Sequence, residues 1–360
     1  MNISKYKLLI VLLLISSFAR ASHVKGKYEK TKSIHKTYHV QPDANIRIDN
    51  SYGNINVTGW NKNIVDIKIN ISASGNDLDD VIDKLKSINV ELSANATHVS
   101  ATTKIDKQNS NWSLISLLFG KSLNVNFKID YEIKIPLKNN LEIINDYGNI
   151  FIDELHGNLK LNADYGKFDI GDLMGENNRI SVDYFNTSEI DFIKKGSINA
   201  DYSKININSA YYLKLSADYS KIQINKVRKL RYSNDYGSIK VYNSMEITGS
   251  GDYQSRYFEN INAIKLNVGY GSIQIKNLRE NFEKISISCD YTNLKIINPK
   301  QVPFLFIIDQ EYGCFKQNGL EIVKDIQDGS DKHFEGYYKT NNTKSVIHIN
   351  EDYGCIKIYN

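Results

Sequence analysis

The chain has 360 residues, of which 41% are hydrophobic, 24% charged and 11% aromatic, and only four are proline. This composition excludes a disordered or collagen-like chain, and the length excludes a small disulfide scaffold while allowing one large domain or two ordinary ones. The formal net charge is +4, and most of that excess lies at the amino terminus.

The first 21 residues have the three-part layout of a secretory signal peptide. Lys5 and Lys7 precede an apolar run from Leu8 to Phe18, and a small-residue site follows at Ala19–Ala21. Removing residues 1–21 leaves 42 Lys and Arg against 41 Asp and Glu, so no nucleic-acid partner is expected. No later run of about 20 apolar residues exists, which predicts an exported protein of the periplasm or cell surface without a transmembrane segment.

The region 22–139 contains the first copy of a repeated motif, at Tyr52, and two other features. A helix is predicted over Ser74–Ile88, with its regular part at about 77–88, because apolar residues recur there at helical spacing behind a capping Asn76 or Asp77. We expect it to cover the first coils of the array. Residues 106–124 are predicted to be an insertion with an apolar tip that either packs back on the protein or contacts a membrane or partner.

The region 140–360 is a repeat array built on the motif Asp-Tyr-Gly-x-Ile-x-Ile and its variants. From Tyr147 to Tyr312 successive copies are spaced 17 to 21 residues apart. Including the first copy, the motif tyrosines are Tyr52, Tyr147, Tyr165, Tyr184, Tyr202, Tyr219, Tyr236, Tyr253, Tyr270, Tyr291, Tyr312 and Tyr353.

Alignment on the tyrosine indicates short, half-buried strands. The fourth residue before it is Ile or Leu in ten of the twelve copies, the exceptions being Tyr232 and Gly249, and apolar residues recur three and five places after it. Such alternation predicts strands, and glycine after the tyrosine in seven copies predicts a corner where a positive φ is needed. The tyrosine shares parity with the inward Ile and Leu, so we expect it to point inward.

A unit of this length with two or three short strands cannot bury its inner face alone, so copies are expected to stack. The predicted fold class is all-β: a single-stranded parallel β-helix, or β-solenoid, expected to be right-handed, with 17–21 residues per coil. Residues 324–345 are polar and glycine-punctuated, and are expected to form a loop or interrupted coil before the copy at Tyr353.

These features resemble the DUF4097 adhesin family, which is related to the GIN-domain, autotransporter-head-like proteins of Bacteroidetes. The resemblance rests on IRIDNSYGNINVTGW, NDLDDVIDKLKSINVEL, FKIDYEIKIPLKNNLEIINDYGNIFID and FEGYYKTNNTKSVIHINEDYGCIKIYN, and covers nearly the whole mature chain. It implies an exported β-helical protein with an adhesin-like role.

Aspartate precedes the motif tyrosine in nine copies. In a stack these carboxylates repel one another. One interpretation is that each accepts a hydrogen bond from the following glycine N–H in an Asx turn, with Lys167, Lys204 and Lys221 as partial counter-charges. The alternative is a line of cations such as Ca²⁺ held between coils, for which the candidates are Asp164, Asp183, Asp201, Asp218 and Asp235.

The tyrosine column is predicted to form a stacked aromatic ladder. The alternative is an exposed ladder that binds glycan rings. Three cysteines in an oxidising compartment leave at least one unpaired. Cys314 and Cys355 occupy the same column, two places after their tyrosines. They are within reach of a disulfide only if their coils are adjacent.

No catalytic residue and no cofactor is predicted. The seven histidines share no column and show no metal-ligand spacing. Two repeats break the pattern, at Thr187 and Glu189 and around Gly249, Gly251, Arg256 and Tyr257, where a grafted site is the alternative to a structural bulge. We therefore predict a non-enzymatic, adhesin-like rod for an unknown macromolecular partner, protein or glycan; the alternative is a lectin or polysaccharide lyase-like protein.

Overall fold

The computed structural model describes residues 26–106 and 125–360. The predicted signal peptide at 1–21 lies outside the described residues. All of the predicted insertion at 106–124 except its first residue does too.

The chain divides into two compact units. Of the described residues, the smaller comprises 26–33, Asn70–Asn89, 104–106 and 125–128, and the larger comprises Ile34–Ile69, Val90–Thr103 and Ile129–Asn360. The twelve motif tyrosines all belong to the larger unit.

The smaller unit contains the α-helix of the described region, α1, at Leu78–Ser87. It is shorter than the predicted span Ser74–Ile88 because Asp77 ends the preceding extended segment and caps the helix. The Asp77 carboxylate accepts hydrogen bonds from the backbone N–H groups of Asp79 (2.9 Å) and Asp80 (3.2 Å), which satisfies two N–H groups that have no partner within the helix.

Strands account for the rest of the regular structure in the described ranges, which confirms the all-β prediction. The first seven are β1 (Tyr28–His39), β2 (Asn45–Ser51), β3 (Ile55–Trp60), β4 (Ile64–Gly75), β5 (Ile88–Ala94), β6 (His98–Ile105) and β7 (Asn126–Pro136). The next eight are β8 (Asn140–Asp146), β9 (Ile150–Leu155), β10 (Leu159–Asp164), β11 (Phe168–Leu173), β12 (Asn178–Asp183), β13 (Ser188–Asp201), β14 (Lys204–Ser216) and β15 (Lys221–Ser233). The remaining eleven are β16 (Gly237–Val241), β17 (Ser244–Gly251), β18 (Gln254–Glu259), β19 (Ile261–Lys276), β20 (Lys284–Ile297), β21 (Phe304–Glu311), β22 (Cys314–Gln317), β23 (Glu321–Asp328), β24 (Asp331–Tyr338), β25 (Val346–Asp352) and β26 (Cys355–Tyr359).

Each repeat has a leading segment, which ends just before its tyrosine, and a trailing segment, which begins just after it. Leading segments pair with leading segments of neighbouring repeats, in parallel and in register. Leu161, for example, pairs with Ile143 on one side and Ile180 on the other. Trailing segments do the same, with Ile170 between Ile152 and Ile190. Equivalent positions of successive repeats are therefore vertical neighbours.

The core lies between the two sets of segments. The predicted Ile and Leu column is buried, with Ile143, Leu161, Ile180 and Ile198 each no more than 2% exposed. The outward positions between them are polar, so each strand buries one face. This burial is the main stabilising term, since apolar area contributes about 25 cal/mol per Å² removed from water.

The repeat after Tyr184 is shifted in register. Thr187 and Glu189 break the apolar pattern because Ser188 and Ile190, not they, face the interior, and Phe185 is buried directly after the tyrosine. The Ser188 hydroxyl accepts a hydrogen bond from the Phe168 N–H (3.1 Å). In this repeat, therefore, the residues that face the core are shifted by one position, and the polar Ser188 that this shift buries has a hydrogen-bond partner in the neighbouring repeat.

The last repeats do not follow chain order. The leading strand of the Tyr353 repeat, β25, pairs with β20 on one side and with β21 on the other, both in parallel. The repeat at Tyr353 is thus inserted between those of Tyr291 and Tyr312. The expected loop or interrupted coil at 324–345 is wrong as far as residue 338, because β23 and β24 form an antiparallel pair and β24 pairs with β21.

Candidate functional site

The twelve motif tyrosines form one continuous ladder. Adjacent ring centroids are 4.8–5.2 Å apart, and the ring planes differ by 0–9°. The order follows the chain from Tyr52 to Tyr291, and then runs through Tyr353 to Tyr312. The spacing is that of paired strands, so the backbone stack sets the ring stack.

Every ladder tyrosine has a left-handed backbone, with φ between 39° and 62°. The expectation that the glycine takes the positive φ is wrong for six of the seven motif glycines, since among them only Gly271 has one. This conformation costs a bulky residue about 1–2 kcal/mol. It aims the tyrosine N–H at the neighbouring repeat, where Tyr147 N–H donates to the Asp164 carbonyl (2.9 Å), and ring stacking adds about 0.5–1.5 kcal/mol per pair.

The motif glycine is required by close contact with the next repeat. A Cβ at Gly148 would lie 1.8 Å from the carbonyl oxygen of Gly53, and one at Gly166 would lie 2.1 Å from that of Gly148. These distances are below any real contact, so a side chain is excluded at these positions unless the corner moves.

The ladder is at the surface, which corrects the expectation of inward tyrosines. Each ladder tyrosine is 41–60% exposed. The parity argument fails because a left-handed residue interrupts the alternation of a strand at the tyrosine itself. Hydroxyls and ring edges face solvent, while ring faces lie against neighbouring rings. Partial desolvation, followed by the neighbouring tyrosines, raises the pKa of Tyr165 and Tyr202 above its ordinary value.

The stacking bears directly on the glycan alternative. Sugars stack on the faces of aromatic rings, but each of the ten inner ladder rings has another tyrosine on both faces. The inner ladder therefore offers a partner hydroxyl groups and ring edges at a regular spacing of about 4.8 Å.

The aspartate column runs beside the ladder and is held by hydrogen bonds between repeats. The Oδ1 atom of Asp201 accepts from the N–H of Asp218 (3.1 Å), that of Asp218 from Asp235 (2.9 Å), and that of Asp235 from Asp252 (2.7 Å). These side chains therefore join neighbouring repeats, where the sequence suggested a turn with the glycine of the same repeat.

Among the five cation candidates, Asp164, Asp183 and Asp201 pair in register, and the hydrogen bonds between repeats join Asp201 to Asp218 and Asp218 to Asp235. Burial, followed by the neighbouring carboxylates, raises the pKa of Asp164 and Asp183. Within residues 26–106 and 125–360, no group of three or more His, Cys, Asp or Glu side chains is arranged to hold a metal ion. In the same ranges no ion pair joins the column to Lys167, Lys204 or Lys221.

Cys314 and Cys355 form a disulfide, with their Cα atoms 4.6 Å apart. They lie side by side because β22 pairs with β26, where Cys314 is opposite Cys355. The inserted position of the Tyr353 repeat makes these coils adjacent. Cys289 is free and buried, and burial raises the pKa of its thiol to about 12.

The second irregular repeat carries a buried arginine. Arg256 is 1% exposed and occupies an apolar column between Ile239 and Ile273. Its guanidinium donates to the carbonyls of Gln254 (3.3 Å) and Gly251, and burial lowers its pKa.

The two exceptions to the Ile and Leu column, Tyr232 and Gly249, compensate one another in size. Tyr232 replaces Ile in its column directly beside Gly249, and a Cβ at Gly249 would lie 2.1 Å from the Tyr232 ring. Outside, Tyr257 lines a shallow groove together with Lys240, Gln274 and Lys295.

A histidine cluster near the end of the chain was not foreseen. His333 Nδ1 lies 2.6 Å from Asp309 Oδ1, and His333 Nε2 lies 2.6 Å from Glu335 Oε1. His348 Nε2 approaches the other Asp309 oxygen at 3.6 Å. Hydrogen bonds to Asp309 and then Glu335 raise the pKa of His333. The antiparallel pairing of β21 with β24 brings His333 to Asp309, and the parallel pairing of β21 with β25 brings His348; no sequence spacing signals either pairing.

The geometry defines an all-β repeat protein with a stacked, half-exposed tyrosine ladder. No helix of the described part is long and apolar enough to cross a membrane. No family model matches the chain, and no curated protein is similar to it. The DUF4097 resemblance therefore stays a prediction.

Three solved structures align over most of their length with this chain. One, from Parabacteroides distasonis, is described as a "putative lipid binding protein"; it has 10% identity and a TM-score of 0.36, with 93% of this chain and 98% of that one covered. A "putative adhesin" from the same species has 9% identity and a TM-score of 0.32, covering 91% and 96%. A "putative cell adhesion protein" from Clostridium sporogenes has 14% identity and a TM-score of 0.20, covering 92% and 99%. TM-scores at this level carry no argument about this chain.

Proposed function

We propose that this chain is an exported, non-catalytic, adhesin-like protein that presents a repeated surface to a macromolecular partner, protein or glycan. The observation that carries the proposal is the ladder: twelve tyrosines kept in a left-handed conformation and half-exposed in one line. The hydroxyl groups and the adjacent aspartates give an extended partner the same contact at each repeat.

We propose that the stacked repeats form a right-handed β-solenoid of the kind found in the DUF4097 adhesin family. The support is that both leading and trailing segments pair in parallel and in register with segments 17–21 residues away in the sequence. Handedness is proposed from the general preference of parallel connections.

Export is supported by two observations. Residues 1–21 have the layout of a signal peptide, and Cys314 and Cys355 form a disulfide, which persists in oxidising compartments. We place the mature protein in the periplasm or on the cell surface.

The test is a binding panel of polysaccharides and immobilised extracellular matrix proteins, assayed for binding and for depolymerisation with and without EDTA. The decisive variant is Tyr202→Phe/Tyr219→Phe/Tyr236→Phe, which keeps the ring stack and removes three ladder hydroxyls. Tyr211→Phe is the matched control, since Tyr211 is 52% exposed and lies outside the ladder.

We expect binding to at least one polymer that the triple variant weakens about tenfold, equal to about 1.4 kcal/mol, while the control binds like wild type. Turnover of a polysaccharide would favour the alternative, a carbohydrate-active enzyme. Binding that the triple variant leaves unchanged would remove the ladder from the contact surface.

A further inference from the structure

A second surface, which borders the ladder and includes the aspartate column beside it, carries three parallel stripes of different charge. It is the outward face of seven stacked leading segments, which we call the leading face: residues 160–164, 179–183, 197–201, 214–218, 231–235, 248–252 and 265–269. In each segment the first, third and fifth residues point outward, and nearly all of them are exposed or half-buried polar residues.

The stripes differ in sign. The first position is basic in five of the seven segments (Lys160, Arg179, Lys214, Arg231 and Lys265). The third is Ser or Asn in all seven. The fifth is Asp in six, from Asp164 to Asp252. A basic stripe and an acidic stripe thus run on either side of a neutral one.

Lys160 forms an ion pair with Glu142 (2.8 Å), but the other four basic residues of the stripe are not paired with a carboxylate in the described ranges. Four residues along a strand span about 13 Å, too far for a basic residue to pair with the aspartate of its own segment. Vertical neighbours carry like charge, as Lys214 and Arg231 do, and like charges placed opposite each other destabilise a sheet. Within the described ranges no ion pair joins Lys214, Arg231 or Lys265 to a carboxylate.

We infer that the leading face is a self-complementary surface on which a second copy of this chain docks, side by side and parallel. A two-fold axis that runs along the stacking direction above the Ser/Asn stripe exchanges the two outer stripes. Each basic stripe then meets the acidic stripe of the other copy, and Lys214 faces Asp218 of the partner subunit. An antiparallel arrangement about a perpendicular axis sets basic on basic, so the charges select the parallel one.

The area is sufficient for a specific interface. Seven repeats at about 4.8 Å and five-residue segments about 17 Å long give about 570 Å² on each copy. The total of about 1,100 Å² is just above the roughly 1,000 Å² that a biological interface is expected to bury. Because the contact is polar throughout, it is expected to weaken steeply as salt screens the stripes.

The experiment is sedimentation velocity on the full mature chain at low salt and at about 0.5 M salt. We expect a dimer at low salt that dissociates at high salt. Lys214→Glu/Arg231→Glu is expected to raise the dissociation constant at least tenfold, and so is Asp218→Lys/Asp235→Lys. The matched control is Lys204→Glu/Lys221→Glu, which reverses two stacked, exposed lysines of the trailing segments and leaves the dimer unchanged.

Mixing separates a docking role from a folding role. The two charge-reversed chains, each monomeric alone, are expected to form a heterodimer. In the mixed pair the introduced glutamates of one chain face the introduced lysines of the other, so the charges are again complementary. Circular dichroism and Tm verify that both are folded. A wild-type chain that stays monomeric at low salt would overturn the inference, and so would folded reversed chains that do not combine.

Orientation has its own readout. With a bis-maleimide, Ser181→Cys and Ser250→Cys are each expected to cross-link to themselves, because the parallel axis places equal positions together. A cross-link between the two different variants, with none within either, indicates the antiparallel arrangement and overturns the inference. Cys289 is buried and does not compete for the reagent.

Discussion

The carboxylate of Glu351 lies against the amide of Gln310 inside the stack, with Glu351 Oε2 accepting a hydrogen bond from Gln310 Nε2 at 2.6 Å. Glu351 is fully buried, and burial raises the pKa of its carboxyl from 4.5 to about 7. Its register partners are Cys289 on β20 and Gln310 on β21, so no cationic side chain is opposite it in these two strands. An inserted repeat therefore carries a carboxyl group that prefers its neutral form.

Glu351 predicts a stability that falls as pH rises. The folded chain holds this proton more tightly than the unfolded chain, so its contribution is fully present below pH 4.5 and is lost as pH rises through about 7. The raised pKa of His333 acts in the same direction. Glu351→Gln is expected to raise the free energy of unfolding at pH 8 by up to about 3 kcal/mol and to change it little at pH 4.5. Urea denaturation at both pH values is the measurement; an equal effect at both contradicts the assignment.

The ladder predicts that substitutions of Tyr219 differ strongly in their effect on the free energy of unfolding. Tyr219→Phe keeps both ring contacts and is expected to change the free energy of unfolding by less than about 0.5 kcal/mol. Tyr219→Val loses two stacking contacts and places a β-branched residue at φ 52°, so we expect a loss of about 2–4 kcal/mol. Tyr211→Val, off the ladder, is the control. Thermal unfolding gives the comparison, and equal effects of the two valines would exclude a stabilising ladder.

The corner glycines predict intolerance of even one methyl group. Gly166→Ala places a Cβ about 2.1 Å from the Gly148 carbonyl oxygen, and we expect a loss of about 3 kcal/mol or more because two backbones must separate. Gly329→Asn is the control, since φ is 60° there and nothing lies within 4 Å of the added Cβ. If chemical denaturation shows Gly166→Ala to be as mild as the control, the close contact is wrong.

The disulfide closes a 41-residue separation and predicts a clear redox effect. Cys314→Ser/Cys355→Ser is expected to lower the free energy of unfolding by about 4 kcal/mol through the entropy of the unfolded chain. Cys289 is expected to resist iodoacetamide until the protein unfolds, because burial raises the pKa of its thiol to about 12. Urea denaturation of the double variant and of wild type measures the first effect, and an unchanged free energy of unfolding contradicts it. Mass spectrometry of the alkylated protein measures the second, and rapid native labelling of Cys289 contradicts its burial.

The spacing of the repeats predicted which residues become vertical neighbours, because apolar positions 17–21 residues apart can share one core only if the repeats stack. The buried Ile and Leu column follows from it. Even the exceptions Tyr232 and Gly249 have a local reason, since the large residue occupies the space that the missing side chain leaves.

The corner itself was not predictable from alternation. Counting parity along a strand assumes extended backbone at every residue, and the left-handed tyrosine breaks that assumption where the ladder begins. The order of the last repeats was hidden for a different reason: equivalent repeats have equivalent edges, so the pattern does not say which copy lies beside which. The histidine cluster depends on the antiparallel pair β21 and β24, which follows no repeat.

The inserted repeat has a consequence for the order of events during synthesis. Strands β20 and β21 are made first and can pair with β19 and β24, but the side on which each pairs with β25 stays open until residues 346–359 have been translated and have entered the gap between them. The last repeat to be synthesised therefore completes the sheet in its interior and not at its edge, and the Cys314–Cys355 disulfide then holds that repeat covalently.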